Sequence, residues 1–110
     1  MISADAIRGD VDLIVLSLVR SEPSYAYELA QRISTVTGAD YTIKQTTLYS
    51  AVKRLELAGL VTSFHGTSES GKLRTYYQIT GSGRAHLDDK TEEWRDTKSV
   101  IDRFVEGTNA

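Results

Sequence analysis

The chain has 110 residues, 40% of them apolar and 25% charged, with a formal net charge of −2. That balance describes one folded domain with a modest core, small enough that a subunit interface would add useful stabilisation. The absence of cysteine excludes disulfides and thiolate metal sites and fits a reducing cytoplasm. The start of the chain lacks a basic, apolar leader, and the run Leu13–Leu18 is far too short to span a bilayer, so neither export nor membrane insertion is expected.

Ile7, Val11, Ile14, Val15 and Leu18 fall at helical spacing and predict a first helix over about residues 5–20. Pro23 suits the first turn of a second helix, over about 24–37, whose apolar positions are Tyr25, Leu29, Ile33 and Val36 and whose stop is Gly38. Ala39 to Lys44 reads as a connector with some strand character, because Tyr41, Thr42 and Ile43 favour extended backbone.

A third helix is predicted over about 45–58, closed by Gly59. Leu48, Ala51, Val52 and Leu55 share one side of it, and Thr46, Tyr49, Ser50 and Lys53 share the other. Leu60–Gly66 and Leu73–Thr80 are rich in strand-forming residues and predict a hairpin with a long, flexible tip over 67–72. Within the second strand, alternation turns Tyr77 and Ile79 toward the core. Thr80 then caps a final helix reaching about residue 106, weakened in its first turn by Gly81 and Gly83. Along that helix Leu87, Trp94 and Ile101 recur every seven residues, supported by Val100, Phe104 and Val105.

The fold class expected from this order is α+β, mainly α: a winged helix-turn-helix over 1–80, with an additional C-terminal dimerisation helix over 81–110. The apolar seam of the last helix is too long for a small domain to leave in water. It is expected to pack with the first helix of a second copy through Val11, Ile14, Leu87, Trp94, Ile101 and Phe104.

Charge is unevenly distributed. Residues 44–80 carry Lys44, Lys53, Arg54, Lys72 and Arg74 against Glu56 and Glu69, and form the one basic third of an acidic chain. Local field, more than net charge, governs encounter with a phosphate backbone. In a helix entering a major groove, Thr46, Tyr49, Ser50 and Lys53 can reach base edges and phosphates, with Lys44, Gln45, Thr47 and Arg54 beside them. Ser70, Lys72 and Arg74 on the hairpin suit backbone phosphates, and Tyr25 near the start of the second helix suits either a phosphate or half-buried packing. These residues are the candidate DNA contacts.

Enzyme chemistry is not expected. His65 and His86 stand without a second metal ligand at a characteristic spacing, the paired carboxylates Asp88-Asp89 and Glu92-Glu93 read as a solvated helix face, and no phosphate-binding glycine loop occurs. No metal or cofactor is implied.

Several stretches together resemble the PadR family of bacterial transcriptional regulators. They are Arg8-Gly9-x-x-Asp12-Leu13-Ile14-x-Leu16, Pro23-Ser24-Tyr25-x-Tyr27-Glu28-Leu29, and Thr47-Leu48-Tyr49-x-Ala51-x-Lys53-Arg54-Leu55-Glu56-x-x-Gly59-Leu60. Ser70-Gly71-Lys72-x-Arg74-x-Tyr76-Tyr77-x-Ile79-Thr80 follows, then Gly83 and Trp94. Ser50 stands where the family usually has proline, and Ala26 where it often has glycine.

The resemblance implies a homodimeric repressor on a pseudo-palindromic operator in double-stranded DNA. The single C-terminal helix is similar to the short subfamily that includes multidrug-responsive repressors. There the implied role of Trp94 is to sandwich a small flat aromatic effector with its symmetry mate, with Asp96 and Glu93 suiting a cationic one. Two other readings remain open from the residues: a winged-helix protein-interaction module, and a small-molecule binding protein without an operator. Steep salt dependence of binding marks a DNA reader and separates it from a mainly apolar contact.

Overall fold

A computed structural model describes residues 7–107. A short 3-10 turn at Arg8–Asp10 leads into α1 (Val11–Val19), followed by β1 (Ser24–Tyr25), α2 (Ala26–Val36), α3 (Gln45–Leu57), β2 (Val61–Thr67), β3 (Leu73–Ile79) and α4 (Gly81–Val105). The sheet is antiparallel with order β1-β3-β2, and Val61 lies opposite Ile79, Phe64 opposite Tyr76 and Thr67 opposite Leu73. This is the expected winged helix-turn-helix with its C-terminal helix.

The core lies where α1 meets α3, β3 and the start of α4. Val15, Leu16, Leu29, Leu48, Val52, Leu55, Tyr77 and Leu87 are buried there. The alternation in β3 holds, since Tyr77 and Ile79 are buried and Gln78 between them is exposed.

Three local expectations are corrected. Ser24 and Tyr25 do not begin the second helix; they pair with Tyr77 and Tyr76 as a two-residue strand. The outer edge of β3 would otherwise present unpaired N–H and C=O groups, and this strand covers it. Ala39–Lys44 forms no strand; the Thr37 hydroxyl binds both the N–H and the carbonyl of Tyr41, satisfying that backbone locally. The hairpin tip is a hydrogen-bonded turn, in which Ser68 N–H donates to the Lys72 carbonyl at 2.9 Å and Gly71 N–H to the Ser68 carbonyl at 2.8 Å, with Gly71 at φ +84°.

Both helix ends nearest the sheet behave as expected. Gly59 takes φ +75° after α3, and the Thr80 hydroxyl accepts from Gly83 N–H at 2.9 Å as it caps α4. Gly83 has a further task. A Cβ there would lie 2.1 Å from the Leu60 carbonyl oxygen, so the glycine lets α4 pass directly over the end of α3.

α4 has 25 residues, about 37 Å of helix at 1.5 Å per residue. Only its first turns join the core, which gives the molecule extents of 59 × 30 × 21 Å. Trp94, Val100, Ile101, Phe104 and Val105 stand exposed on the remainder. No described helix is long and apolar enough to cross a membrane.

Candidate nucleic-acid interface

α3 divides cleanly into two faces. Leu48, Ala51, Val52 and Leu55 are buried, and Thr46, Thr47, Tyr49, Ser50, Lys53 and Arg54 are exposed. Gln45 opens the helix in an exposed position, with Lys44 just before it. Tyr49 is 50% exposed, and Leu57, 90% exposed, extends the outward face by a turn.

One flank of α3 meets the sheet. Lys53, with a side chain 63% exposed, lies 3.5 Å from the Glu56 carboxylate, which also accepts a 2.5 Å hydrogen bond from the Ser63 hydroxyl of β2. The Ser63 hydrogen bond, ahead of the charge of Lys53, holds the Glu56 carboxyl below its ordinary pKa. Glu56 therefore ties the helix to the wing while steadying a lysine on the outward face.

Between α3, β3 and the start of α2 lies a cleft of about 340 Å³ bordered by Tyr25, Tyr27, Tyr49, Lys53 and Arg74. Arg74 is the second residue of β3 and is half-buried. Its guanidinium lies 4.8 Å from the Tyr25 ring centre and 5.9 Å from that of Tyr27, and its Nε is buried without a hydrogen-bond partner. Attraction to the aromatic faces offsets part of that desolvation. Tyr25 packs edge-on against Tyr76 at 5.4 Å, and Tyr76 stacks on Phe64 at 5.5 Å, so an aromatic row crosses the sheet beneath the arginine. Tyr27 was missed as part of this cluster; the short strand carries Tyr25 to β3, and the helix start then brings Tyr27 beside Arg74. Ser70 and Lys72, by contrast, are exposed at the tip as predicted.

The opposite flank is held by an ion pair. Asp12 of α1 accepts from the Nη2 of Arg54 and more loosely from its Nε. The hydrogen bond from Arg54 raises its already high pKa. Arg54 thus fastens α3 to α1 and still keeps donors for other partners.

A separate groove of about 590 Å³ runs between the start of α1 and α4, with Trp94 in its wall. Its carboxylates are Asp10, Asp12, Glu93 and Asp102, against Lys90 and Lys98. Asp96 does not border it: two residues beyond Trp94, it is turned about 200° around the helix. Val11 and Leu87 are corrected as dimer contacts, because both are buried in the chain's own core. Ile14 is half-buried, and Trp94, Ile101 and Phe104 remain exposed.

Comparison with known proteins places the chain firmly. Uncharacterized protein X of Lysinibacillus sphaericus is 39% identical over 107 residues, 97% of this chain and 98% of that protein. A transcriptional regulator from Clostridium thermocellum shares 48% identity and a TM-score of 0.86, covering 96% of this chain and 99% of its own. Bacillus subtilis PadR, solved in complex with operator DNA, is similar in fold, with 21% identity and a TM-score of 0.66 over 74% of this chain and 46% of its own. The model of the transcriptional regulator PadR-like family matches residues 15–89, and the chain belongs to that family, whose members are regulators of transcription and not enzymes.

Proposed function

We propose that this protein is a cytoplasmic, homodimeric repressor that binds a pseudo-palindromic operator in double-stranded DNA through α3 and the β2–β3 wing. The observation that carries the reading is the outward face of α3. Thr46, Tyr49, Ser50 and Lys53 stand exposed on a helix fixed to the core by its other side, within the basic third of the chain. Hydroxyls and a lysine on such a face reach base edges and phosphates when the helix lies in a major groove. The B. subtilis PadR complex with operator DNA supports the same use of the fold.

Dimerisation follows from α4. Trp94, Ile101 and Phe104 lie within about one quadrant of the helix and cannot be covered by the chain's own core. A second copy related by a two-fold axis buries the same stripe twice and sets two copies of α3 for successive major grooves. Residues 1–80 act as the reading head and 81–110 as the dimerisation helix. The groove beside Trp94 suits a flat aromatic cation, since an indole forms its wall and carboxylates outnumber lysines around it. A ligand there shifts the spacing of the two heads, and DNA is released to the extent that the ligand prefers the non-binding arrangement.

The test is to pass sheared genomic DNA over the purified protein, sequence the retained fragments and measure affinity for the enriched duplex at rising salt. Enrichment of a two-fold symmetric sequence, with affinity falling steeply as salt rises, is the expected result. Absence of any enriched sequence would remove the operator from the proposal.

A further inference from the structure

The wing is not the only cationic flank of α3. Thr47, Ser50 and Arg54 border a second cleft, of about 360 Å³, whose other walls include Arg8 and Lys44. Among the described residues, three cations line it and no carboxylate does. Arg8 comes from the 3-10 turn before α1, inside the most acidic third of the sequence, so a partition of charge along the chain conceals it. The fold carries this one arginine to the side of the recognition helix.

The position of the cleft says what it faces. Lys53 and Tyr49 border the cleft on the wing side, whereas Thr47 and Arg54 border this one; Arg54 is rotated about 100° from Lys53 around the helix axis. A helix lying in a major groove has a phosphate backbone along each side. The wing-side cleft, with Lys53 and Arg74, addresses one strand, and Arg8, Lys44 and Arg54 stand toward the other.

We propose that the Arg8–Lys44–Arg54 cleft is a phosphate seat, taken by a backbone phosphate of the strand opposite the wing. The proposal rests on the DNA-binding reading above and adds Arg8 as a contact and Asp12 as a positioning residue. Asp12 engages the Nε and Nη2 of Arg54, which fixes the plane of the guanidinium and leaves Nη1 to donate into the cleft. The Thr47 and Ser50 hydroxyls on the same wall supply neutral donors to the same oxygens.

The test uses the full chain with the enriched duplex and a random duplex of equal length, titrated between about 50 and 200 mM salt. Arg8→Ala should weaken both duplexes several-fold and reduce the steepness of log affinity against log salt by about 0.9, the signature of one lost phosphate. Arg8→Lys should keep the slope, and Lys44→Ala should repeat the loss without the risk of disturbing the 3-10 turn. If Arg8→Ala and Lys44→Ala leave slope and affinity unchanged while Lys53→Ala weakens binding, the seat is refuted and the DNA reading survives. If the wild type binds neither duplex, the DNA reading has failed, and tripolyphosphate alone becomes the probe. Saturable tripolyphosphate binding lost in Arg8→Ala would keep the seat and give it a soluble phosphate ligand; no binding would refute it.

Discussion

Asp12 of α1 accepts a hydrogen bond from Arg54 of α3 and so ties the two helices together. The carboxylate that orients Arg54 on the recognition helix also lines the groove that holds Trp94. Both partners are partly exposed, at 36% and 57% of their side chains, so the pair is worth under about 1 kcal/mol to stability. Its value is in orientation. Asp12→Asn should therefore leave the melting temperature nearly unchanged, raise affinity for a random duplex several-fold by removing a negative charge, and reduce discrimination in favour of the enriched duplex. Competition binding at fixed salt measures both, and unchanged discrimination would show that the plane of Arg54 does not matter.

Glu56 gives a pH dependence of defined sign. Ser63 first, then Lys53, hold its carboxyl below the ordinary value in the folded state; the unfolded chain has no such partners. The resulting stabilisation is present in full above the ordinary glutamate range and is lost as pH falls through the lowered folded value. Thermal melts of wild type and Glu56→Gln should differ at neutral pH and converge on acidification. A difference that stays constant down to about pH 3 would mean that Ser63 and Lys53 do not distinguish the ionised carboxylate.

The architecture was legible in the sequence because its signals are local and periodic. The buried side of α3, the Gly59 stop, the Thr80 cap and the inward Tyr77 and Ile79 all follow from spacing and turn chemistry. What was not legible depends on which neighbour arrives from elsewhere in the chain. Ser24 and Tyr25 look like a helix start until β3 offers an open edge. Leu87 reads as part of a seven-residue seam with Trp94, yet the core ends between them, so one is buried and the other is exposed. Arg8 and Asp12 come beside α3 only in the folded chain, more than thirty residues away in sequence.

Trp94 is the only tryptophan and so reports on its groove without background. Glu93 and Asp102 there are paired with Lys90 and Lys98 at 3.5 and 2.9 Å, and Asp12 with Arg54, which leaves Asp10 to set the sign of the field. A flat aromatic cation should quench Trp94 fluorescence saturably, and an anionic analogue of the same shape should not. Asp10→Asn should weaken the cation several-fold. Equal quenching by both analogues would mean stacking without charge selection.

Phe104 separates dimerisation from folding. It is 81% exposed, so an aspartate there removes little from the chain's own core but places charge in an apolar stripe that a second copy would cover. Phe104→Asp should sediment as a folded monomer where the wild type sediments as a dimer, and its affinity for a symmetric duplex should fall by at least tenfold once the two heads are unlinked. A dimeric Phe104→Asp would move the interface away from the end of α4.

Gly81 and Gly83 stand in the same helical turn and should respond oppositely to alanine. Nothing lies within 4 Å of a Cβ built at Gly81, so Gly81→Ala should stabilise the helix by up to about 1 kcal/mol, the usual gain over glycine. At Gly83 the added carbon would lie 2.1 Å from the Leu60 carbonyl oxygen and 2.7 Å from the Ile79 Cγ1. The carbonyl cannot yield easily, because it accepts the Thr80 N–H at 3.1 Å. Relief must come from moving α4, at a cost of about 1–3 kcal/mol, which exceeds the gain in helix propensity. Gly83→Ala should therefore lower the melting temperature by several degrees. Because the first turn of α4 sets the direction of the whole exposed stripe, it should weaken dimerisation as well, while Gly81→Ala leaves the dimer intact. Identical behaviour of the two variants would mean that the approach of α4 to Leu60 does not govern how the helix is aimed.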